Sequence, residues 1–364
     1  MNTSFLISQK VDENTHFVFL KRPKKFLIVE NFHLDLFAKY DILSKSEFVD
    51  YLSEKHVHAK PDVIYSELNE LFKDPSHLQK EAQNNYVIPK KLYKFKFKLG
   101  DNCYTINYED QRIIKAVIGQ LKHLEDNSIN ESKNYYVFKN DDKFFLKDDY
   151  NYHGVWKKDD LHYLTGKLLS FFICDFHKIL EKKWSGFLHA TTVSKNNKAF
   201  LIIGESGDGK STSSAILCKN GYSLVVDDIS PINRKGEVAS FPNAISIKNS
   251  SFEKLKNLYD TNKFSSAIQS SKGEVRYLNP SGLKKFDPNT KICNHIIKLK
   301  YDVNNQNSLV RVKLKELLPL VVNESYFPTN VKSVKSFMNW LLSCKYYSLN
   351  YCDDKMLIKF FEKI

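Results

Sequence analysis

Between residues 204 and 211 the chain reads Gly204-Glu205-Ser206-Gly207-Asp208-Gly209-Lys210-Ser211, which matches the spacing G-x-x-x-x-G-K-[ST]. Each part of that spacing has a physical reason. The glycines allow backbone angles that turn successive N–H groups inward, making an anion nest at the start of a helix whose dipole also attracts phosphate. Lys210 can reach the β- and γ-phosphates of a nucleotide, and the Ser211 hydroxyl can join the shell of a Mg²⁺ ion, which prefers oxygen ligands. Glu205, Ser206, Asp208 and, at the helix start, Thr212 complete the segment expected to surround the phosphates of ATP. The apolar run Ala199 to Ile203 stands directly before the loop and suits a buried strand. Strand, loop and helix signals in this order favour nucleotide binding over a purely structural glycine turn.

A second acidic signal follows at short range. A helix is expected to about Lys219, ended by Asn220-Gly221, and Tyr222 to Val226 reads as a strand leading to Asp227-Asp228. Only one helix and one strand separate the lysine from the carboxylates, so the two strands are expected to be neighbours with both ends converging on the phosphates. Adjacent strand residues face opposite ways, which suggests a division of labour. One carboxylate would hold Mg²⁺, directly or through water, and the other would accept the proton of an attacking hydroxyl. Ser211 and Asp227 are the expected metal-side groups, and which aspartate acts as base stays open. A structural Asp-Asp turn is the plainer alternative.

Together, Leu188-His189-Ala190, the loop, Asn220-Gly221, Val226-Asp227-Asp228, Phe241 to Lys248 and Arg276-Tyr-Leu-Asn-Pro280 resemble the HPr kinase/phosphorylase group and its relatives. That group shares a P-loop fold with phosphoenolpyruvate carboxykinase. The resemblance implies an α/β fold: a P-loop core with a mixed sheet and flanking helices. It further implies ATP and Mg²⁺ as cofactors, phosphoryl transfer to a hydroxyl (usually serine), a catalytic aspartate at 227 or 228, and a tendency to form oligomers. It places His189 near the phosphates, at the end of the strand before the P-loop strand, where a lone histidine could also be a core residue. Arg276, expected in a loop, could clamp the transferring phosphate or lie on the surface. Two departures stand out. Thr212 occupies a position where the bacterial HPr kinases usually carry an acid, and nothing resembles their N-terminal domain, which puts HPr as acceptor and the reverse reaction in doubt.

The elements that must position these groups fall into three stretches. Residues 184–364 hold the phosphate-binding core. Residues 86–183 form a preceding lobe, with an alternating strand at Tyr93 to Lys98, helices at Ile113 to Leu124 and Tyr163 to Leu180, and hairpins between Tyr135 and Tyr152 joined at Asn140-Asp-Asp142. Residues 1–85 have their own rhythm. Short apolar runs at Phe5 to Ile7, Phe17 to Leu20 and Phe26 to Val29 precede three helical patterns: Asn31 to Tyr40, one capped by Ser44-Lys-Ser-Glu47, and one opening at Pro61 and ending at Asp74-Pro75. This small α+β, winged-helix-like outline resembles the PqqD-like peptide-recognition elements of peptide-modifying systems, which implies a leader peptide as its partner. An ordinary α+β lobe is the alternative.

Charge and composition narrow the function further. The net charge is +13, yet of 55 basic residues only Arg22, Arg112, Arg234, Arg276 and Arg311 are arginines. Base and bidentate phosphate recognition favour arginine, and the acids of the second and third helices would repel a nucleic-acid backbone. The lysines are therefore read as solvated surface. The longest apolar stretch, Leu168 to Cys174, is too short to span a membrane. No signal-peptide pattern is seen and the six cysteines show no paired or zinc spacing, so a cytoplasmic protein with reduced thiols is expected. His56 and His58 lack a second group of ligands and are read as ordinary histidines. The expected function is an ATP- and Mg²⁺-dependent kinase acting on a hydroxyl, with serine expected, of a peptide or small molecule. Two alternatives remain: a nucleotide-binding regulatory module without transfer, and a small-molecule kinase for serine or a sugar.

Overall fold

The N-terminal apolar runs form β1 (Leu6–Lys10), β2 (Thr15–Leu20) and β3 (Lys25–Glu30), paired as an antiparallel meander. In this computed structural model the described residues are 5–55, 60–72, 88–270, 273–279, 289–304, 306–322 and 325–364. The expected helix stop at Asp74-Pro75, the histidines at 56 and 58, Pro280 and the boundary at residue 85 lie outside them. Helices α1 (Asn31–Ile42), α2 (Lys45–Glu54) and α3 (Pro61–Leu71) follow the meander. The capping box forms: Ser44 N donates to Glu47 Oε2 at 2.8 Å, and Glu47 N donates to Ser44 Oγ at 3.4 Å. Because side chains alternate along a strand, β2 sends Val18 and Leu20 to a core shared with Phe48, Leu52 and Leu68, and Phe17 and Phe19 to the main core of the molecule. The meander is thus buried on both faces.

The second stretch contributes β4 (Tyr93–Leu99), β5 (Asn102–Tyr108), α4 (Gln111–Leu121), β6 (Lys133–Asn140), β7 (Lys143–Asp148), β8 (Tyr152–Lys157) and α5 (Leu161–Phe176). The five strands pair in chain order, with α4 as the crossover between the parallel pair β5 and β6. The alternation read at Tyr93 to Lys98 holds, with Phe95, Phe97 and Leu99 buried.

The third stretch begins with β9 (Trp184–Leu188), β10 (Thr191–Lys195), β11 (Lys198–Ile203), α6 (Lys210–Lys219), β12 (Ser223–Val226), β13 (Ser230–Asn233) and β14 (Glu237–Val238). It continues with β15 (Ile245–Lys248), α7 (Asn249–Leu255), β16 (Ile268–Ser270), β17 (Gly273–Leu278), β18 (Lys291–Tyr301), β19 (Ser308–Val312), α8 (Leu314–Val322), α9 (Val331–Ser343), β20 (Lys345–Tyr351) and α10 (Asp354–Lys363). Nine of these strands make a mixed sheet of order β12-β10-β11-β18-β14-β13-β9, with β20 joining β18 to β19. β11 pairs in parallel with β18, and β18 with β20. Strands β15, β17 and β16 form a separate small sheet.

One expectation is corrected here. β11 and β12 are not neighbours, because β10 lies between them and is antiparallel to both. A tight hairpin makes room for it, with Asn196 and Asn197 at φ 50° and 62°, the consecutive left-handed pair that a two-residue connection demands. The interior is continuous across residue 183: Phe97, Leu168, Phe172, Trp184, Leu201 and Phe337 belong to one apolar cluster. A second cluster, containing Phe200, Ile202, Leu217 and Leu349, fills the other face of the large sheet.

Candidate phosphate-binding site

β11 runs straight into the glycine loop, and α6 begins at Lys210 as the motif requires. The glycines do different work. Gly207 and Gly209 take φ values of 109° and 92°, open to glycine without strain. Gly204 is needed for space, since a Cβ there would stand 2.8 Å from the carbonyl oxygen of Leu299. Asp208 braces the loop from within, accepting from Glu205 N at 2.6 Å through Oδ2, while its carbonyl accepts from Tyr301 N at 3.0 Å. Lys210 arches back over the loop, and its Nζ donates to the carbonyls of Gly204 (2.6 Å) and Glu205 (3.2 Å). Thr212 Oγ1 donates to Ser251 Oγ at 2.9 Å, tying α6 to α7.

The two aspartates face different ways, but both lie past the end of β12 at Val226, so a turn and not strand alternation separates them. Asp227 is fully buried and turns to the loop, where Ser211 Oγ donates to its two carboxylate oxygens at 3.2 and 3.1 Å. Thr191 Oγ1 donates to Asp227 Oδ1 at 2.5 Å, and Ser246 N to Oδ2 at 3.2 Å. These donors are all neutral. Burial pushes the Asp227 carboxyl up to about 6, with the charge of Asp228 acting in the same direction and the three hydrogen bonds opposing both. Asp228 turns away, with its side chain 41% exposed. It sits at φ 68° at the centre of a three-residue turn closed by Ile229 N donating to Asp227 O at 2.8 Å. Such γ-turn geometry is strained for a side-chain-bearing residue, and strain of this kind collects at functional sites.

His189 occupies the break between β9 and β10, so the strand that precedes the P-loop strand is β10 and not the one ending at His189. Its Nδ1 is 3.5 Å from Asp228 Oδ1, and its backbone N donates to Ser325 Oγ at 3.1 Å. Arg276 is a strand residue of β17, where a loop was expected. Its guanidinium is engaged by Glu274 at 3.2 Å and lies 4.4 Å over the Phe252 ring. Lys248, at the end of β15, brings a cation to the loop: its Nζ is 3.8 Å from where a Cβ on Gly207 would stand.

Three further residues belong to the site. Asn243, fully buried, receives Asp227 N through Oδ1 at 3.3 Å and donates through Nδ2 to Asp227 O at 2.6 Å. Gln120, from α4 of the preceding lobe, donates through Nε2 to Asp228 Oδ2 at 3.1 Å and accepts from Asn243 Nδ2 at 3.3 Å. Thr191 directly follows Leu188-His189-Ala190 but carries no signal of its own, and Gln120 lies 108 residues before its partner, where spacing cannot point to it.

The donor set fits a Mg²⁺-nucleotide. Among the described residues no group of three or more His, Cys, Asp or Glu forms a metal cage. Magnesium does not ask for one, since it is usually held by one or two protein oxygens together with phosphates and water. Ser211 and Asp227 offer hard oxygens side by side, and a buried carboxylate met only by neutral donors is the partner a cation would favour. Among the described residues no helix is long and apolar enough to cross a membrane, and all six cysteines are free thiols.

No family model matches the sequence, and no curated protein does. Among solved structures, the Hpr(Ser) kinase/phosphatase from Coxiella burnetii aligns with 49% of this chain and 94% of its own, at 13% identity and a TM-score of 0.26. At those values the likeness carries no argument, and the chemistry rests on the site itself.

Proposed function

We propose that the chain is an ATP- and Mg²⁺-dependent phosphotransferase of the HPr-kinase-like kind, acting on a hydroxyl group. The observation that carries this reading is the contact of Ser211 with buried Asp227 beside Lys210, with Asp228 turned to the open side of the same turn. Backbone N–H groups of the glycine loop and of the first turn of α6 would hold the β- and γ-phosphates, apart from those of Glu205 and Asp208, which bond within the loop, and Lys210 would exchange its contacts with the loop carbonyls for phosphate oxygens. Lys248 adds a second positive charge at Gly207. Mg²⁺ bound at Ser211 and Asp227 would supply charge neutralisation on the phosphates.

Asp228 accepts the proton of the attacking hydroxyl as its oxygen bonds to the γ-phosphorus, and the bond to the bridging oxygen of ADP breaks. His189, 3.5 Å from that carboxylate, is placed to stabilise it. The acceptor is a serine-type hydroxyl on a peptide or small molecule, residues 1–85 present a leader peptide to the core, and the reaction takes place in the cytoplasm. What supports the peptide version is the PqqD-like order of strands and helices in that segment.

The test is single-turnover transfer of labelled γ-phosphate from Mg²⁺-ATP, offered free serine, sugars and peptides encoded by neighbouring genes. Asp228→Asn is expected to lower transfer about 100-fold while ATP stays bound, and Lys210→Ala to weaken ATP binding about tenfold or more. Equal transfer by Asp228→Asn and wild type would sink the assignment. ATP binding with no transfer to any acceptor would leave a nucleotide-regulated binding module in its place.

A further inference from the structure

Helix α4 is apolar along its buried face, with Ile113, Ile114, Val117, Ile118 and Leu121 all in the main core. Gln120 interrupts that pattern and is only 3% exposed. Burying an amide costs free energy unless its hydrogen-bonding groups are met, so a glutamine at such a position asks what it serves. Its partners give the answer. Nε2 donates to Asp228 Oδ2, Oε1 accepts from Asn243, and the backbone carbonyl accepts from Ala244 N at 2.8 Å. Asn243 in turn holds both the N–H and the carbonyl of Asp227. A single buried relay therefore grips the side chain of Asp228 and the backbone just before it.

The helix that carries Gln120 has little freedom to move. Gly119 lies flat against the Tyr277 ring of β17, and a Cβ on it would come within 2.0 Å of that ring. Tyr277 is itself buried. The carboxylate it faces needs such support, since Asp228 sits in a strained turn and its exposed side chain could otherwise sample other rotamers. A displacement near 1 Å at a reacting group costs about 100-fold in rate.

We infer that Gln120 is the positioning residue of Asp228, through which the lobe of residues 86–183 sets the geometry of the transfer step. This rests on the phosphotransferase reading above. It concerns a residue outside the phosphate-binding core and gives the preceding lobe a role in the chemistry.

A double-mutant cycle over Gln120→Met and Asp228→Ala tests it, read two ways. In single-turnover transfer, Gln120→Met lowers the rate about 10- to 100-fold, with the ATP dissociation constant unchanged within about twofold, because no phosphate contact is touched. On the Asp228→Ala background the same change costs no more than about twofold, because its target is gone. The second reading is denaturant unfolding without nucleotide, where the double variant loses less than the sum of the single losses. Equal effects of Gln120→Met in both backgrounds, or loss of ATP binding along with rate, would overturn the assignment. Should wild type transfer no phosphate, the phosphotransferase reading falls alone. The unfolding cycle then still decides whether Gln120 holds Asp228: non-additive losses keep the contact, and additive losses remove it.

Discussion

Asp227 shows how one buried carboxylate shapes both chemistry and stability. Its ordinary value of 3.8 rises to about 6 in the fold, so between those limits the folded chain holds more protons than the unfolded one. The contribution of this group to stability is therefore fully present below pH 4 and is lost as pH rises through 6. Without nucleotide or metal, Asp227→Asn is expected to gain on wild type by on the order of 3 kcal/mol between pH 4 and pH 7. Urea unfolding at several pH values checks this, and a gap that stays constant with pH would contradict it. Lost hydrogen bonds from Thr191 and Ser211 shift the baseline at every pH and leave the slope to the carboxylate. A cation held at Asp227 at pH 7 would remove that penalty as well as form a bond, so adding Mg²⁺-nucleotide would be expected to flatten the pH dependence of wild-type unfolding.

At the scale of elements, the docking of α4 on β17 joins two lobes beside the site, together with the hydrogen bonds of Gln120. In an exposed helix Gly→Ala gains about 1 kcal/mol. At Gly119 the added methyl meets a buried ring, and overpacking of this kind costs about 1–3 kcal/mol. Gly119→Ala is expected to lower the melting midpoint and to reduce transfer beyond what its melting shift accounts for, since the helix must move Gln120 with it. Full activity with unchanged melting would show that Tyr277 yields. What the sequence made legible follows the same division. The loop, its strand and helix, the Ser44–Glu47 cap and the alternation of Phe95, Phe97 and Leu99 are local, so residue type and spacing suffice. Strand β10 escaped because its hairpin is closed by Asn196-Asn197 without a glycine, and so β11 and β12 were read as neighbours. Gln120 is out of reach of spacing because another lobe brings it to the site; Asn243 and Lys248 stand inside Phe241 to Lys248, but their roles depend on contacts with other elements, and Arg276 follows a glycine that suggests a loop where β17 begins.

For the molecule as a whole, the N-terminal meander is part of the interior. Phe26 is 7% exposed and meets Phe327 and Phe337 with ring centroids 5.0 and 5.1 Å away, and Gln9 donates to Asn339 of α9 at 2.6 Å. Phe26→Ala is expected to cost about 3 kcal/mol and to lower one shared unfolding transition, followed by circular dichroism and tryptophan fluorescence together. An early separate transition of the N-terminal segment would instead mark it as an independent unit. The rear wall of the glycine loop has a different origin in the chain. Leu299 and Tyr301 come from β18, and Tyr351 of β20 reaches Ser213 Oγ at 2.6 Å. During synthesis the ribosome therefore releases the complete motif long before the strands that shape it, and non-local pairing of this sort is slow to form. A nascent chain arrested at residue 290 is expected to carry residues 204–211 intact and still fail to retain ATP, so that capture on a nucleotide resin reports the arrival of β18 and β20 and not the appearance of the motif.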